Sequence, residues 1–396
     1  MKSNKQGIKA IVIAAFLVAG TSIGAGMLAL PAVTGLSGFL PAIVINFLCW
    51  LFMLSTGLLF LEAILWMEPG VNLLSTAERF LGMKGRIVGG AIFLFLYYCL
   101  LIAYISGGSP ILLQGLGLSG NGIWGNVLFS LIFGAVILIG PWFVNRLNLL
   151  LMVGLILAYF LIIQSGASGV SLENLSRMNW NYLFYSAPVL FSAYGYHNIV
   201  PSIAMHLRRH APSLRRAIVI GTLIPFTIYS IWQWLIIGTV DLAGIKQLFD
   251  KGLPASSILP EIFTHPWIGI LGIYFGFFAI ITSFLGVALS MVDFYADGLK
   301  MSRKGMSRLF LTLLVIAPST VFASIRPDLF IFALGIAGGF GESLINGLFP
   351  VLMVWVGRYK MGLKSDWTLP GGKGTLVLLI AATVFIVILE FIELLQ

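Results

Sequence analysis

Apolar residues follow one another in unbroken runs of about twenty or more, separated by short stretches of Gly, Pro, Ser and charge. About 20 apolar residues cross a bilayer as a helix, and runs of that kind fall at 8–30, 37–66, 87–112, 124–143, 147–166, 183–205, 217–240, 267–292, 309–325, 329–356 and 374–395. They predict eleven spanning helices, numbered here in chain order. Punctuation such as Glu68-Pro69-Gly70 and Leu118-Ser119-Gly120-Asn121-Gly122 marks turns between them. The strands of an outer-membrane barrel would instead alternate in segments of about ten residues. The fold class is therefore an all-α integral membrane protein, since helices alone satisfy every backbone group within such runs.

Composition agrees with the pattern: 59% of the 396 residues are hydrophobic and only 9% are charged. The net charge of +9 would point to nucleic acid in a soluble protein, so the position of each basic residue decides its meaning. With eleven spans the termini lie on opposite sides, and 19 of the 23 Lys and Arg fall on the side of the N-terminus. Only Arg177, Lys246, Lys251 and Arg326 fall on the other. The positive-inside rule then places the N-terminus in the cytoplasm and the C-terminus outside. No nucleic-acid partner is needed to explain the charge. The cluster from His206 to Arg216 is an anchor on the cytoplasmic face or a contact for anionic lipid. The first run is too long for a cleavable signal and reads as helix one. Cys49 and Cys99 sit within apolar runs without metal-ligand spacing, so no disulfide, metal or cofactor is expected.

Two runs are interrupted at mid-depth. Helix one contains Gly20-Thr21-Ser22-Ile23-Gly24-Ala25-Gly26-Met27-Leu28-Ala29-Leu30-Pro31, and helix six contains Ser192-Ala193-Tyr194-Gly195-Tyr196-His197-Asn198 between Pro188 and Pro201. Small residues and a following proline let the backbone unwind, near 20–26 and near 192–198. Freed backbone groups survive at that depth only beside protein or a polar cavity. Half-helix N-termini suit a carboxylate, while exposed carbonyls suit an ammonium or a metal cation. Close helix packing at Gly20 and Gly24 is the other reading of the first segment. The recurrence five helices later favours a cavity: it predicts an inverted five-plus-five repeat, with 1–166 and 183–356 as the two units and 374–395 as an additional helix.

The helix-one segment resembles the opening signature of the hydroxy/aromatic amino acid permeases. So do Ala103-Tyr104-Ile105-Ser106-Gly107-Gly108, Tyr194-Gly195-Tyr196-His197 with Val200-Pro201-Ser202-Ile203, and Thr282-Ser283-Phe284-Leu285-Gly286-Val287-Ala288-Leu289 with Asp293 and Ala296-Asp297. The resemblance extends from helix one to helix eleven and is nearest to the family's tyrosine-specific branch. It implies membership of the amino acid/polyamine/organocation superfamily and substrate–cation symport across the bacterial inner membrane, generally driven by protons.

On that resemblance Thr21, Ser22, Gly24, Ala25 and Gly26 hold the carboxylate of an amino acid, and carbonyls around Phe191, Ser192, Tyr194 and Gly195 take its ammonium. An aromatic side chain needs a flat apolar slot. The candidates are Tyr97, Tyr98, Tyr104, Phe191, Tyr194, Phe277 and Phe278. Gly20, Ile23, Thr282 and Ser283 match a sodium position in relatives of the superfamily, which keeps Na+ beside H+ as the coupled cation. Glu62 and Glu342 stand as acidic groups within the spans, and such groups are functional candidates by default. Glu342, in Gly338-Gly339-Phe340-Gly341-Glu342-Ser343, either carries the coupled proton or hydrogen-bonds a neighbouring helix as a neutral acid; Glu62 is near the end of helix two and has a structural reading. His197 is a proton relay or a tie holding the broken helix. Asp293 and Asp297 form a gate or loop anchor at the end of helix eight.

Other classes fit less well. A channel would want rings of like groups from identical subunits. An intramembrane enzyme would want HExxH, paired aspartates or Gly-x-Ser-x-Gly, and ATP drive would want a phosphate-binding Gly-rich loop; none occurs. The expected function is import of an aromatic amino acid, L-tyrosine foremost, with tryptophan or another neutral amino acid as the alternative. One chain suffices for transport, and the oligomeric state is left open.

Overall fold

A computed structural model describes residues 2–118, 122–262, 266–326, 328–365 and 367–395. The turn expected around 119–121 lies outside them. Among the described residues nine helices are long and apolar enough to span a membrane, and one further span is bent by 60°. Helix six completes the set of eleven. It is divided into Ala187–Ala193 and Val200–His206, each only seven residues long.

Helix one runs over Lys2–Ser22 and resumes at Gly26–Thr34. The others are Phe39–Leu65, Leu73–Gly115, Gly122–Ile139 and Pro141–Gly166 before helix six, then Ala211–Thr239, Pro266–Gly298, Gly305–Ala323, Leu329–Lys360 and Gly372–Leu395. Helix one packs along helix seven as helix six packs along helix two, and helix five lies on helix eight as helix ten lies on helix three. Each pair becomes the other when the helices are renumbered by five, the relation expected of two inverted units. Helix eleven packs outside this set, against helix ten.

Small residues permit these crossings. A Cβ at Gly221 would lie 2.6 Å from the Val18 Cβ, and one at Gly154 would lie 2.8 Å from the Phe278 ring, so helices seven and five reach their partners only because both positions lack side chains.

Three departures from the expected boundaries have local causes. Helix three starts at Leu73 rather than 87, because Asn72 and Ser75 form a reciprocal cap. Its first turns carry Glu78, Arg79, Lys84 and Arg86, which lowered the hydropathy there, and Gly82 at φ +74° kinks it at the face where helix one begins. The segment Leu242–Asp250, expected as loop, is an amphipathic helix that buries Ile245 and Leu248 and is capped by the Asp241 side chain. Helix ten is π-helical over Ala337–Leu348, a wide-turn geometry often found at functional sites.

Candidate functional site

The two breaks meet. The second half of helix one begins at Gly26, where a Cβ would lie 2.9 Å from the Cα of Ala193, the last residue of the first half of helix six. The positive end of one half-helix therefore abuts the negative end of another, and an amino acid zwitterion offers both complementary charges. Tyr229 of helix seven ties the junction: its hydroxyl lies 2.7 Å from the Ser22 carbonyl and 2.8 Å from the Ala193 carbonyl. On the far side Ser283 of helix eight accepts a hydrogen bond from the Ala25 amide at 3.0 Å. A Cβ at Gly24 would fall on the Ser283 hydroxyl, so only glycine allows this approach. Tyr104 of helix three lines the same cavity as Ser283.

Helix six is held across its break by side chains. Tyr194 donates to Asn46 Oδ1 at 2.6 Å, Tyr196 donates to the Met53 carbonyl at 3.2 Å, and Ser192 donates to the Leu334 carbonyl at 2.6 Å. The His197 Nε2 lies 3.0 Å from the Thr56 hydroxyl, and its ring is buried beside Tyr196 and Phe60. His197 thus ties the second half of helix six to helix two.

A cavity of about 1050 Å³ surrounds the junction. It continues past Phe16 and Leu17 of helix one, Asn145 and Asn148 of helix five, Met205 of helix six and Asp297 of helix eight. All of these lie toward the face where helix one begins, so the cavity opens there. At the opposite face the second half of helix one and the first halves of helices six and ten pack together.

Of the residues expected at the site, Gly20, Thr21, Ser22, Ile23, Ala25, Gly26, Tyr97, Tyr104, Ser192, Gly195, Thr282, Ser283 and Glu342 line this cavity. The buried Ser22 hydroxyl has no hydrogen-bond partner among the described residues, which leaves it for a ligand. Thr282 donates back to the Phe278 and Ala279 carbonyls at 2.9 and 3.0 Å. Glu342 is 4% exposed, accepts a hydrogen bond from Asn346 one turn later and faces the helix-six break, since a Cβ at Gly195 would meet its carboxyl group.

Eight of the expected residues lie elsewhere, among them Phe278, whose ring packs on Gly154 of helix five. Gly24 is covered by Ser283. Tyr98 turns away to Tyr295 and the Leu314 carbonyl, and its neighbour Tyr97 supplies the aromatic wall instead. Phe277 packs edge-on against Phe133, Phe191 stacks on Phe52 at 4.8 Å, and the Tyr194 ring rests against Tyr229. His197 is sequestered as described. Glu62 is paired with Arg358 of helix ten at 2.5 Å, with both side chains at most 9% exposed, so the structural reading fits its placement.

The sequence reading overlooked several groups. Asn198 donates to the Tyr97 hydroxyl at 3.4 Å within the cavity, and Asn346 fixes Glu342 from the same helix. Tyr229 was one aromatic residue in an apolar run, with nothing local to mark it. Glu390 is a third carboxyl inside the spans, 3% exposed, and its acidic letter in the last run was the available signal.

The comparisons with known proteins agree with this geometry. The model of the tryptophan/tyrosine permease family matches residues 8–390. Tyrosine-specific transport system 1 of Haemophilus influenzae is 30% identical over 95% of each chain. The tryptophan-specific transport protein of the same organism is 28% identical over 91% of this chain and 90% of its own. The crystal structure of MhsT in complex with L-phenylalanine is 18% identical, superimposes with a TM-score of 0.62 and covers 98% of this chain and 97% of that one, a likeness of fold. The protein is therefore a multi-pass membrane transporter rather than an enzyme, and the chain belongs to the tryptophan/tyrosine permease family.

Proposed function

We propose that the protein imports an aromatic amino acid, L-tyrosine foremost, across the bacterial inner membrane by proton symport and alternating access. The observation that carries this reading is the junction of two broken helices inside a cavity that opens to one face. The substrate carboxylate binds at the start of Gly26–Thr34, with Thr21, Ser22 and Ala25 beside it, and its ammonium binds toward the end of Ala187–Ala193 near Ser192 and Gly195. Tyr97 and Tyr104 flank the aromatic ring. The relatives named for tyrosine and for tryptophan support the aromatic class.

The distribution of basic side chains supports a cytoplasmic N-terminal face and a periplasmic C-terminus, and with that orientation the described state is open inward. The units 1–166 and 183–356 rock about the junction, and 374–395 supports helix ten. One chain supplies the whole cavity, so a monomer suffices.

Glu342 carries the proton. It lines the cavity, faces the helix-six break and has no cation partner among the described ion pairs. A carboxylate left unpaired at that depth is unstable, which favours the protonated form until the cavity admits water. Accumulation should then rise as external pH falls. Glu342→Gln keeps the hydrogen-bonding shape but holds no transferable proton. It should abolish pH-driven accumulation while sparing tyrosine exchange between two filled compartments; an unaltered pH dependence removes Glu342 as the carrier. Sodium is the second reading, favoured by the placement of Thr282 and Ser283 beside Gly20 and Ile23. In that case Thr282→Ala with Ser283→Ala abolishes a sodium dependence revealed by ion replacement.

A further inference from the structure

Helix eleven carries a carboxyl that the transport reading does not use. Glu390 is 3% exposed although it lies on the outermost helix of the set, and its side chain turns inward against helix ten. It rests in a notch made by two glycines one turn apart. A Cβ at Gly339 would lie 2.5 Å from the Glu390 Cγ and 2.7 Å from its Oε2, and one at Gly335 would lie 3.4 Å from Oε1. The notch is therefore fitted to the carboxyl, and any larger residue at 339 would expel it. Gly339 belongs to the same π-helical segment as Glu342, so both acids bear on one irregular stretch of backbone.

Among the described residues no cation pairs with Glu390. Its Oε2 is buried without a hydrogen-bond partner, and it takes part in none of the ion pairs among the described residues. The segments that pack most on helix eleven are Ala337–Leu348 and Phe349–Trp355 of helix ten, Ala187–Ala193 of helix six and Phe184–Ser186 before it; their titratable groups are Glu342 and Tyr185, while Arg358 further along helix ten is paired with Glu62. Cys99 of helix three and Glu393 of helix eleven lie within electrostatic reach. None of these is a base free to offset a negative charge. A carboxylate in such surroundings is far less stable than the acid.

We propose that Glu390 is a second proton-binding site, separate from the substrate cavity, and that a proton there keeps helix eleven seated in the Gly335–Gly339 notch and so stabilises the π-helical form of helix ten. Conformations that release the carboxyl toward the membrane surface, about a turn from the helix end, hold that proton less tightly. Acid then favours the described conformation and alkali depletes it, whichever ion drives transport.

Two measurements on the full chain in lipid test this without a transport assay. The infrared spectrum should contain a protonated-carboxyl band that titrates away at alkaline pH, that Glu390→Gln deletes and that Glu342→Gln leaves in place. Gly339→Ala, which fills the notch while keeping the carboxyl, should move the same band to the carboxylate region at neutral pH. The second measurement is alkylation of Asn145→Cys in the cavity. Its rate, divided at each pH by that of the same thiol in the denatured chain to remove the intrinsic rise in thiolate reactivity, should fall as pH rises, and Glu390→Gln should remove that dependence. A set of protonated-carboxyl bands unchanged by Glu390→Gln and Gly339→Ala, or an alkylation profile in Glu390→Gln identical to its parent's, would overturn the proposal. Loss of tyrosine transport with both signatures intact would bear on the substrate reading alone.

Discussion

At Gly24 a missing side chain lets the Ser283 hydroxyl reach the Ala25 amide and fixes the shape of the helix-one break. Gly24→Leu should insert and purify normally yet bind substrate about ten- to a hundredfold more weakly, because forcing bulk into a packed junction costs about 1–3 kcal/mol. Wild-type affinity by scintillation proximity would contradict the assignment. The Glu62–Arg358 pair makes a different prediction. Glu62→Gln leaves a nearly buried guanidinium without its counter-charge, a change worth about 3 kcal/mol, so thermal stability should fall more than substrate affinity does. A drop in affinity with unchanged melting would place Glu62 in the site after all. The glycines and Ser283 were legible in sequence because backbone freedom and small hydroxyls are local properties. Tyr98 and Tyr97 were not separable, since one step along a helix turns a side chain by about 100° and their letters are the same.

Among the elements, the two half-helix junctions depend on a residue with no local signature. Tyr229 reaches the last carbonyls of both Lys2–Ser22 and Ala187–Ala193. Tyr229→Phe keeps the ring and deletes the tie, leaving two buried carbonyls short of a donor at about 1–3 kcal/mol. Substrate affinity should fall about tenfold or more while expression is retained; an unchanged binding isotherm would show that the breaks hold themselves. The eleven spans and both breaks could be read from run length and from glycine–proline placement. The π-helical stretch of helix ten could not, because its glycines are equally compatible with an ordinary packed helix. Its form comes from tertiary neighbours: Gly338 against the Pro188 carbonyl, Gly341 against Leu96 and Gly339 against Glu390. The start of helix three was misplaced for the opposite reason, since a good cap outweighed low hydropathy there.

For the whole molecule, the described conformation exposes one face of the cavity and closes the other. Asn145→Cys should react with a membrane-impermeant maleimide in inside-out vesicles far faster than in right-side-out ones. The native Cys49 and Cys99 are buried and should contribute little background. Saturating tyrosine with its driving ion should slow the reaction, and equal labelling from both sides would contradict the orientation. The basic side chains alone carry the expectation of orientation, whereas the direction in which the cavity opens is a property of packing. The central claim is that the junction couples an aromatic amino acid to a cation gradient. Uptake of labelled L-tyrosine into proteoliposomes tests it directly, under separately imposed proton and sodium gradients and with competition by other amino acids. Saturable accumulation that collapses with the proton gradient and is competed first by aromatic amino acids is the predicted result. Equilibration without accumulation under either gradient would contradict it.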